Sequence, residues 1–151
     1  VQQFSKENHL RWDSLGEFLA LAVSLDHFGN TNDNAKAKVL AKTLDDATEA
    51  FLDHKRSPSR KVGELDNRGS HYYLALYWAK ALATQSKDVE LKNQFSSIAV
   101  ELSDNEQIIL KELNGIQGEA TNIGGYYLPN EKAADGAMQP SITLNTIIKS
   151  I

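Results

Sequence analysis

His71-Tyr72-Tyr73-Leu74-Ala75-Leu76-Tyr77-Trp78-Ala79-Lys80-Ala81-Leu82-Ala83 is the run that decides the fold class. Wound as a helix, it is apolar almost all round, and its alanines and leucines favour that winding. A helix of this kind has to be enclosed by others. The run therefore predicts a central, most buried helix from Ser70 to Thr84. Tyr72, Tyr73, Tyr77 and Trp78 fall at helical spacing and read as core rather than as a ligand box.

Upstream, Asp66-Asn67-Arg68-Gly69-Ser70-His71 leads into this helix, with Asn67 or Ser70 as the cap and Arg68 paired to Asp66 or Glu64. No glycine-flanked serine or metal-ligand histidine pair accompanies it, so no catalytic or metal residue is assigned in this chain. Ser14-Leu15-Gly16-Glu17 fits a capping box, followed by Leu15, Phe18, Leu19, Ala22, Leu25 and Phe28 on a helix ending at Gly29-Asn30. Asn32-Asp33 then caps a second helix whose buried face carries Val39, Leu40, Leu44, Ala47 and Phe51, fading near Asp53. Pro58 and Gly63 break the period between Asp53 and Gly69, which reads as a loop.

Downstream, Leu91, Phe95, Ile98, Leu102, Ile109 and Leu113 form a seam for one long helix from about Asp88 to Leu113, with Asn105 in the skipped slot and Gly115 as the stop. Ile123-Gly124-Gly125-Tyr126-Tyr127-Leu128-Pro129 is turn chemistry followed by a short extended piece. Ser141 caps a last helix with Leu144, Ile147 and Ile148. The fold class is mainly α: an antiparallel assembly of about five helices with a Gly-Gly-Tyr-Tyr turn segment, forming one domain over residues 1–151.

The bulk properties narrow the function. With 151 residues, 41% of them hydrophobic, the chain is long enough for one compact domain. A mean hydropathy of -0.42, and the lack of an apolar run near ~18 residues or a signal-peptide pattern, point to a soluble, cytoplasmic chain with no membrane partner. The net charge of -4 argues against a nucleic-acid partner and makes any anion site local. With no cysteine, the chain has neither a disulfide framework nor a thiolate metal site. Gly124-Gly125 is too short for a dinucleotide fingerprint, and no βα pattern precedes it, so there is no Rossmann signal. Opening on Val1-Gln2-Gln3-Phe4 without a methionine, the chain reads as the middle of a longer reading frame or as a trimmed chain.

Two local features suit an anion. His54-Lys55-Arg56-Ser57-Pro58-Ser59-Arg60-Lys61 packs four permanent cations and hydroxyl donors into a proline-stiffened loop, where guanidinium forks match phosphate oxygens. It also reads as a solvated loop balanced by Glu64 and Asp66. Arg11-Trp12-Asp13 stands just before the first helix, where an indole and a guanidinium can flank an adenine or hold its ribose phosphate. It equally reads as a cap, Asp13 sharing that role with Ser14 and Trp12 stapled to the first turn.

Longer strings carry a resemblance. Glu7-Asn8-His9-Leu10-Arg11-Trp12-Asp13-Ser14-Leu15-Gly16-Glu17-Phe18-Leu19-Ala20-Leu21-Ala22 and Arg56-Ser57-Pro58-Ser59-Arg60-Lys61-Val62-Gly63-Glu64-Leu65-Asp66-Asn67-Arg68-Gly69-Ser70-His71 are similar to the C-terminal portion of monomeric NADP-dependent isocitrate dehydrogenases. Tyr73-Leu74-Ala75-Leu76-Tyr77-Trp78-Ala79, Gly124-Gly125-Tyr126-Tyr127 and Pro140-Ser141 follow in the same order, so the resemblance spans essentially the whole chain. Gln139 stands where the family pattern has a basic residue.

The resemblance implies an oxidoreductase that decarboxylates isocitrate to 2-oxoglutarate with NADP and Mg2+ or Mn2+, in the tricarboxylic acid cycle and glyoxylate bypass. It implies that this chain is a C-terminal fragment of the smaller of two domains, inactive alone, with the metal and most substrate ligands in the remaining domain of the same chain. By the same resemblance Arg11, Trp12, Asp13 and Arg60 are the cofactor-binding residues, and a cofactor-contacting histidine precedes the position of Val1. Arg11 and Arg60 are then expected to grip the adenosine 2′-phosphate, Asp13 to orient a neighbouring hydroxyl or Arg11, and Trp12 to pack beside them. The contrasting reading is an autonomous helical interaction module whose loop from His54 to Lys61 docks an acidic partner without binding nucleotide.

Overall fold

The computed structural model describes residues 2–151, and the order of elements among them is α1 (Gln2–Glu7), α2 (Leu15–Thr31), α3 (Ala35–Asp53), α4 (Asn67–Thr84), α5 (Val89–Asp104), α6 (Glu106–Asn114), α7 (Glu131–Met138) and α8 (Ile142–Lys149). The mainly α class holds, with no strand among the described residues. Helices α2, α3, α4 and α5 each pack on the next, and α6 and α8 close over the α4–α5 end. The series is antiparallel. Phe18 at the start of α2 meets both Phe51 at the end of α3 and His71 at the start of α4, with ring centroids 5.8 and 5.0 Å apart. Tyr72 near the start of α4 donates to the Leu102 carbonyl near the end of α5 at 2.8 Å.

As its composition demands, α4 is the enclosed helix: Tyr72, Tyr73, Leu74, Leu76, Ala79 and Leu82 are buried between α3 and α5. The Trp78 indole N–H donates to Thr43 Oγ1 of α3 at 3.0 Å, so its polar edge is satisfied within the core.

Helix starts differ from the expected ones wherever several polar residues compete for the cap. The cap of α4 is Asp66, rather than Asn67 or Ser70: its extended backbone lets Oδ1 accept from the Arg68 N–H at 3.0 Å. Ser14 and Glu17 do not close a capping box on α2. Asp13 Oδ1 accepts from the Leu15 N–H at 3.1 Å, Ser14 Oγ accepts from Asn67 Nδ2 at 2.9 Å, and Glu17 accepts from the Trp12 indole. The cap of α3 is Asn34, whose side chain accepts from the Ala37 N–H at 3.0 Å, while Asn32 belongs to the end of α2. That end lies at Thr31 rather than Phe28, because Gly29 is a packing residue: a Cβ there would stand 2.7 Å from Lys38 Cγ on α3.

The long fourth helix expected from the seam is broken at Asn105 (φ -97°, ψ 8°), whose side-chain amide donates to the Glu101 carbonyl at 2.8 Å. The skipped slot in the seam is where the chain turns. Helix α1 has no apolar period, α7 has only the short, alanine-rich face of Ala133, Ala134, Ala137 and Met138, and both are tied to distant partners. The Glu7 carbonyl of α1 accepts from the Gly118 N–H at 2.8 Å, and the Ala137 carbonyl of α7 accepts from Arg68 at 2.7 Å. Ser141 caps α8 as its sequence predicts, accepting from the Leu144 N–H at 3.0 Å.

Arg68 knots these parts together. It is 5% exposed, and all five of its N–H groups find acceptors: Asp66 Oδ2 from both Nε and Nη2, Asn8 Oδ1 and Ala137 O from Nη1, and the Asn8 carbonyl from Nη2. Asp66, fully buried, also accepts from the Leu10 N–H at 3.2 Å. Removing one partner of such a pair leaves a buried charge uncompensated, at a cost of about 3–5 kcal/mol. Asp66→Asn should lower stability by about that amount in chemical denaturation; a change below about 1 kcal/mol would show the pair to be energetically idle.

Glu112 joins α6 to the start of α8, accepting from Ser141 Oγ at 2.6 Å and from the Thr143 N–H and hydroxyl. The Ser141 hydrogen bond holds its carboxyl below the ordinary value, helped by the bonds from Thr143. A depressed carboxyl contributes stability that is complete above its unfolded value near 4.5 and is lost as pH falls through the lower folded value. Glu112→Gln should flatten the acid limb of stability below about pH 4.5, as followed by helix circular dichroism.

Candidate functional site

The chain contains four arginines, and the fold treats them as two pairs. Arg68 is consumed by the buried knot. Arg56 is consumed too: its guanidinium carbon sits 3.9 Å from the centroid of the Tyr73 ring, and its Nε–H donates to Tyr77 Oη at 3.1 Å. Arg11 and Arg60 are both exposed, and no ion pair among the described residues involves either. The cation-rich loop therefore divides. Arg56 is part of the core's edge, Lys61 stands 3.6 Å from Glu64, and Arg60 keeps its charge open to solvent.

The loop carrying Arg60 is built rather than slack. The Ser59 N–H donates to the Leu65 carbonyl at 2.7 Å, the Ser59 hydroxyl donates to Glu64 Oε2 at 2.5 Å, and the Lys61 N–H donates to Ser59 Oγ at 3.2 Å. The Ser59 hydroxyl is also the main cause holding the Glu64 carboxyl below its ordinary value. Glu64 thus balances this loop as the sequence predicts, whereas Asp66 turns inward to Arg68.

Segment 8–13 lies against this loop although 49 residues separate Arg11 from Arg60. His9, 1% exposed, spans the gap: Nε2 lies 2.8 Å from the Ser59 carbonyl and Nδ1 lies 2.7 Å from Gln117 Oε1. The Gln117 amide also accepts from the Gly63 N–H at 2.7 Å and donates to the Glu64 carbonyl at 3.0 Å. Gln3 of α1 donates to the Arg60 carbonyl at 3.2 Å. Asn67 completes the frame, donating to the Trp12 carbonyl at 2.8 Å from its side chain and to the Leu10 carbonyl at 2.7 Å from its backbone. Two cation-bearing segments are thereby held against each other by a connected set of hydrogen bonds, part-buried around His9 and Asn67 and exposed around Gln117.

The four residues singled out in the sequence occupy distinct positions here. Arg11 and Arg60 present free guanidinium groups. Trp12 is 65% exposed, with its indole N–H donating to Glu17 Oε1 at 3.3 Å, so it does not serve as a buried staple. Asp13 accepts from Leu15 at the start of α2. Gln117 and His9 were not foreseen as organisers, because nothing in their local sequence shows that they meet. The sequence places Tyr126 only in a turn, yet with Phe4, Leu10, Arg11, Trp12 and Ile123 it lines a cleft of about 540 Å³.

The family model described as monomeric isocitrate dehydrogenase matches residues 1–149, and this chain belongs to that family. Among curated relatives, isocitrate dehydrogenase [NADP] 2 of Colwellia maris is 61% identical over 151 residues, covering 100% of this chain and 20% of the relative. Isocitrate dehydrogenase [NADP] of Azotobacter vinelandii is 59% identical over 148 residues, covering 98% of this chain and 20% of the relative. Isocitrate dehydrogenase [NADP] 2 of Mycobacterium tuberculosis is 50% identical over 151 residues, again covering 20% of the relative. The chain thus spans about a fifth of the length of these relatives. These matches favour an enzyme segment over a free-standing interaction module.

Gln117→Ala should leave Nδ1 of the buried His9 ring without a partner and unlatch the loop around Gly63. The expected cost is about 1–3 kcal/mol, with faster hydrogen exchange at the Gly63 amide. Unchanged exchange there would mean that the loop is held without Gln117.

Proposed function

We propose that this chain is the C-terminal cofactor-site segment of a monomeric-type NADP-dependent isocitrate dehydrogenase, with Arg11 and Arg60 holding the adenosine 2′-phosphate of NADP. The observation that carries this reading is the division of the arginines: the two that the resemblance assigns to the cofactor are the two that the fold leaves unpaired on one side. Hydrogen-bonded frames on both segments hold the backbone beneath these side chains before a ligand arrives, which reduces the ordering cost of binding. Guanidinium groups suit a dianionic phosphate because their planar N–H donors pair with its oxygens. Trp12 packs beside them, and Asp13, held at the start of α2, orients a neighbouring hydroxyl or Arg11.

In the full-length enzyme, bound NADP supplies the hydride acceptor for oxidation and decarboxylation of isocitrate to 2-oxoglutarate. This segment binds and orients the adenosine end, and the Mg2+ or Mn2+ ion and most isocitrate ligands belong to the remaining domain of the same chain. The fragment alone is inactive. Its outer surface fits a partner in the same polypeptide: besides the buried face of α2, Leu19, Leu21, Val23 and Phe28 stand exposed on it, as a helix meant to be covered would present them. Among the described residues no helix is long and apolar enough to cross a membrane. The location proposed for the enzyme is cytoplasmic.

A charge-assisted hydrogen bond contributes about 1.5–3 kcal/mol. In a full-length enzyme carrying this segment, Arg60→Ala should therefore weaken NADP roughly ten- to a hundredfold while barely changing NAD, measured by calorimetric titration. Equal losses for both cofactors would overturn the 2′-phosphate assignment.

A further inference from the structure

We propose that the cleft between Trp12 and Tyr126 receives the adenine ring of the dinucleotide, with Tyr126 as a base-stacking residue. This rests on the cofactor reading above and adds a residue from a distant part of the chain. The cleft, of about 540 Å³, has an apolar floor of Phe4, Leu10 and Ile123, aromatic side chains at Trp12 and Tyr126, and Arg11 among its lining residues. That volume lies within the roughly 300–1,000 Å³ typical of small-molecule sites, and the combination of apolar lining with one cation is typical of them too. Both aromatic residues are largely in solvent, at 65% for Trp12 and 67% for Tyr126, so neither ring is spent on the core.

The backbone holds Tyr126 where it is. Gly124 and Gly125 take φ of +85° and +140°, in the left-handed region that glycine tolerates best. A Cβ on Gly124 would come within 3.2 Å of both the Cβ and the backbone nitrogen of Asn130. The loop is closed by the Asn130 N–H donating to the Ile123 carbonyl at 2.6 Å and by Asn122 Oδ1 accepting from the Gly124 N–H at 2.9 Å. Tyr127 meets Tyr126 edge to face, with ring centroids 5.0 Å apart. At its base the segment is fastened to α1, the Thr121 N–H donating to the Ser5 carbonyl at 3.0 Å, and α1 also supplies Phe4 to the cleft floor.

A purine fits this chemistry better than an aliphatic side chain does. Aromatic faces in water gain from stacking on a flat base, and Arg11 in the lining can reach the ribose phosphate that the base carries. Because the base is common to NADP and NAD, Tyr126 should act on both, whereas Arg60 should act only on ligands with a 2′-phosphate. That difference separates the two assignments.

The test uses a full-length enzyme carrying Tyr126→Ala, Tyr126→Phe or Arg60→Ala, titrated calorimetrically with NADP, NAD and adenosine 2′,5′-bisphosphate. Thermal midpoints report on folding, and the exposure of Tyr126 makes a change there unexpected. Tyr126→Ala should weaken all three ligands about tenfold, while Tyr126→Phe should stay within about twofold. If Tyr126→Ala leaves all three unchanged while Arg60→Ala selectively loses the 2′-phosphorylated ligands, the cofactor reading stands and the cleft is not the base subsite. A loss in Tyr126→Phe as large as in Tyr126→Ala would transfer the effect to the hydroxyl and overturn stacking. If Arg60→Ala shows no selectivity, the 2′-phosphate assignment fails, and the response of NAD to Tyr126→Ala still decides the cleft.

Discussion

Arg68 and Asp66 form a buried ion pair at the start of the central helix, and the rest of the molecule is arranged to let that pair exist. Two charges removed from water are tolerated only when mutual attraction and further hydrogen bonds replace the lost hydration. Here the replacements come from Asn8 and Leu10 upstream and from Ala137 downstream. To satisfy this pair, two remote stretches, residues 8–10 and Ala137, must converge on the first turn of α4. An apolar pair of similar size would bury as well without dictating which segments meet. The ionic pair adds orientation, because each N–H demands an acceptor in a particular direction.

This convergence positions the residues proposed to hold the cofactor. With Asn8 held by Arg68, His9 is directed inward to Ser59 and Gln117, and the next residues, Arg11 and Trp12, are turned out to solvent. The same segment's carbonyls are held by Asn67, so the strip from Asn8 to Trp12 has little freedom at its backbone. Rigid backbone beneath exposed, unpaired side chains is the arrangement expected of a binding surface rather than a core. Arg56 shows the contrast within one loop: four residues before Arg60, it is stacked on Tyr73 and withdrawn from any ligand.

Local chemistry made much of this legible. The apolar circumference of 71–83 required an enclosed helix, the apolar spacing placed α2 and α3, and Ser141 announced the last helix. Family-like strings around Arg11-Trp12-Asp13 and Ser57-Pro58-Ser59-Arg60 marked the candidate cofactor residues. Less legible were the choices among near-equivalent polar groups. Asp13, Ser14 and Glu17 all suit a helix start, and only the presence of Asn67 beside Ser14 decides that Asp13 takes the Leu15 amide. Helices α1 and α7 are not legible locally: both are short and tied to partners far away in the chain, and a six-residue stretch such as Gln2–Glu7 has no period to detect.

The sequence by itself determined the helical class, the identity of the central helix and the family to which the chain is similar, because these follow from periodicity and long local strings. Tertiary structure alone decided which arginines are spent and which are free, which residue caps each helix, and that Tyr126 shares a cleft with Trp12. Those outcomes depend on pairings between residues tens of positions apart, where chemically similar candidates compete and geometry selects one.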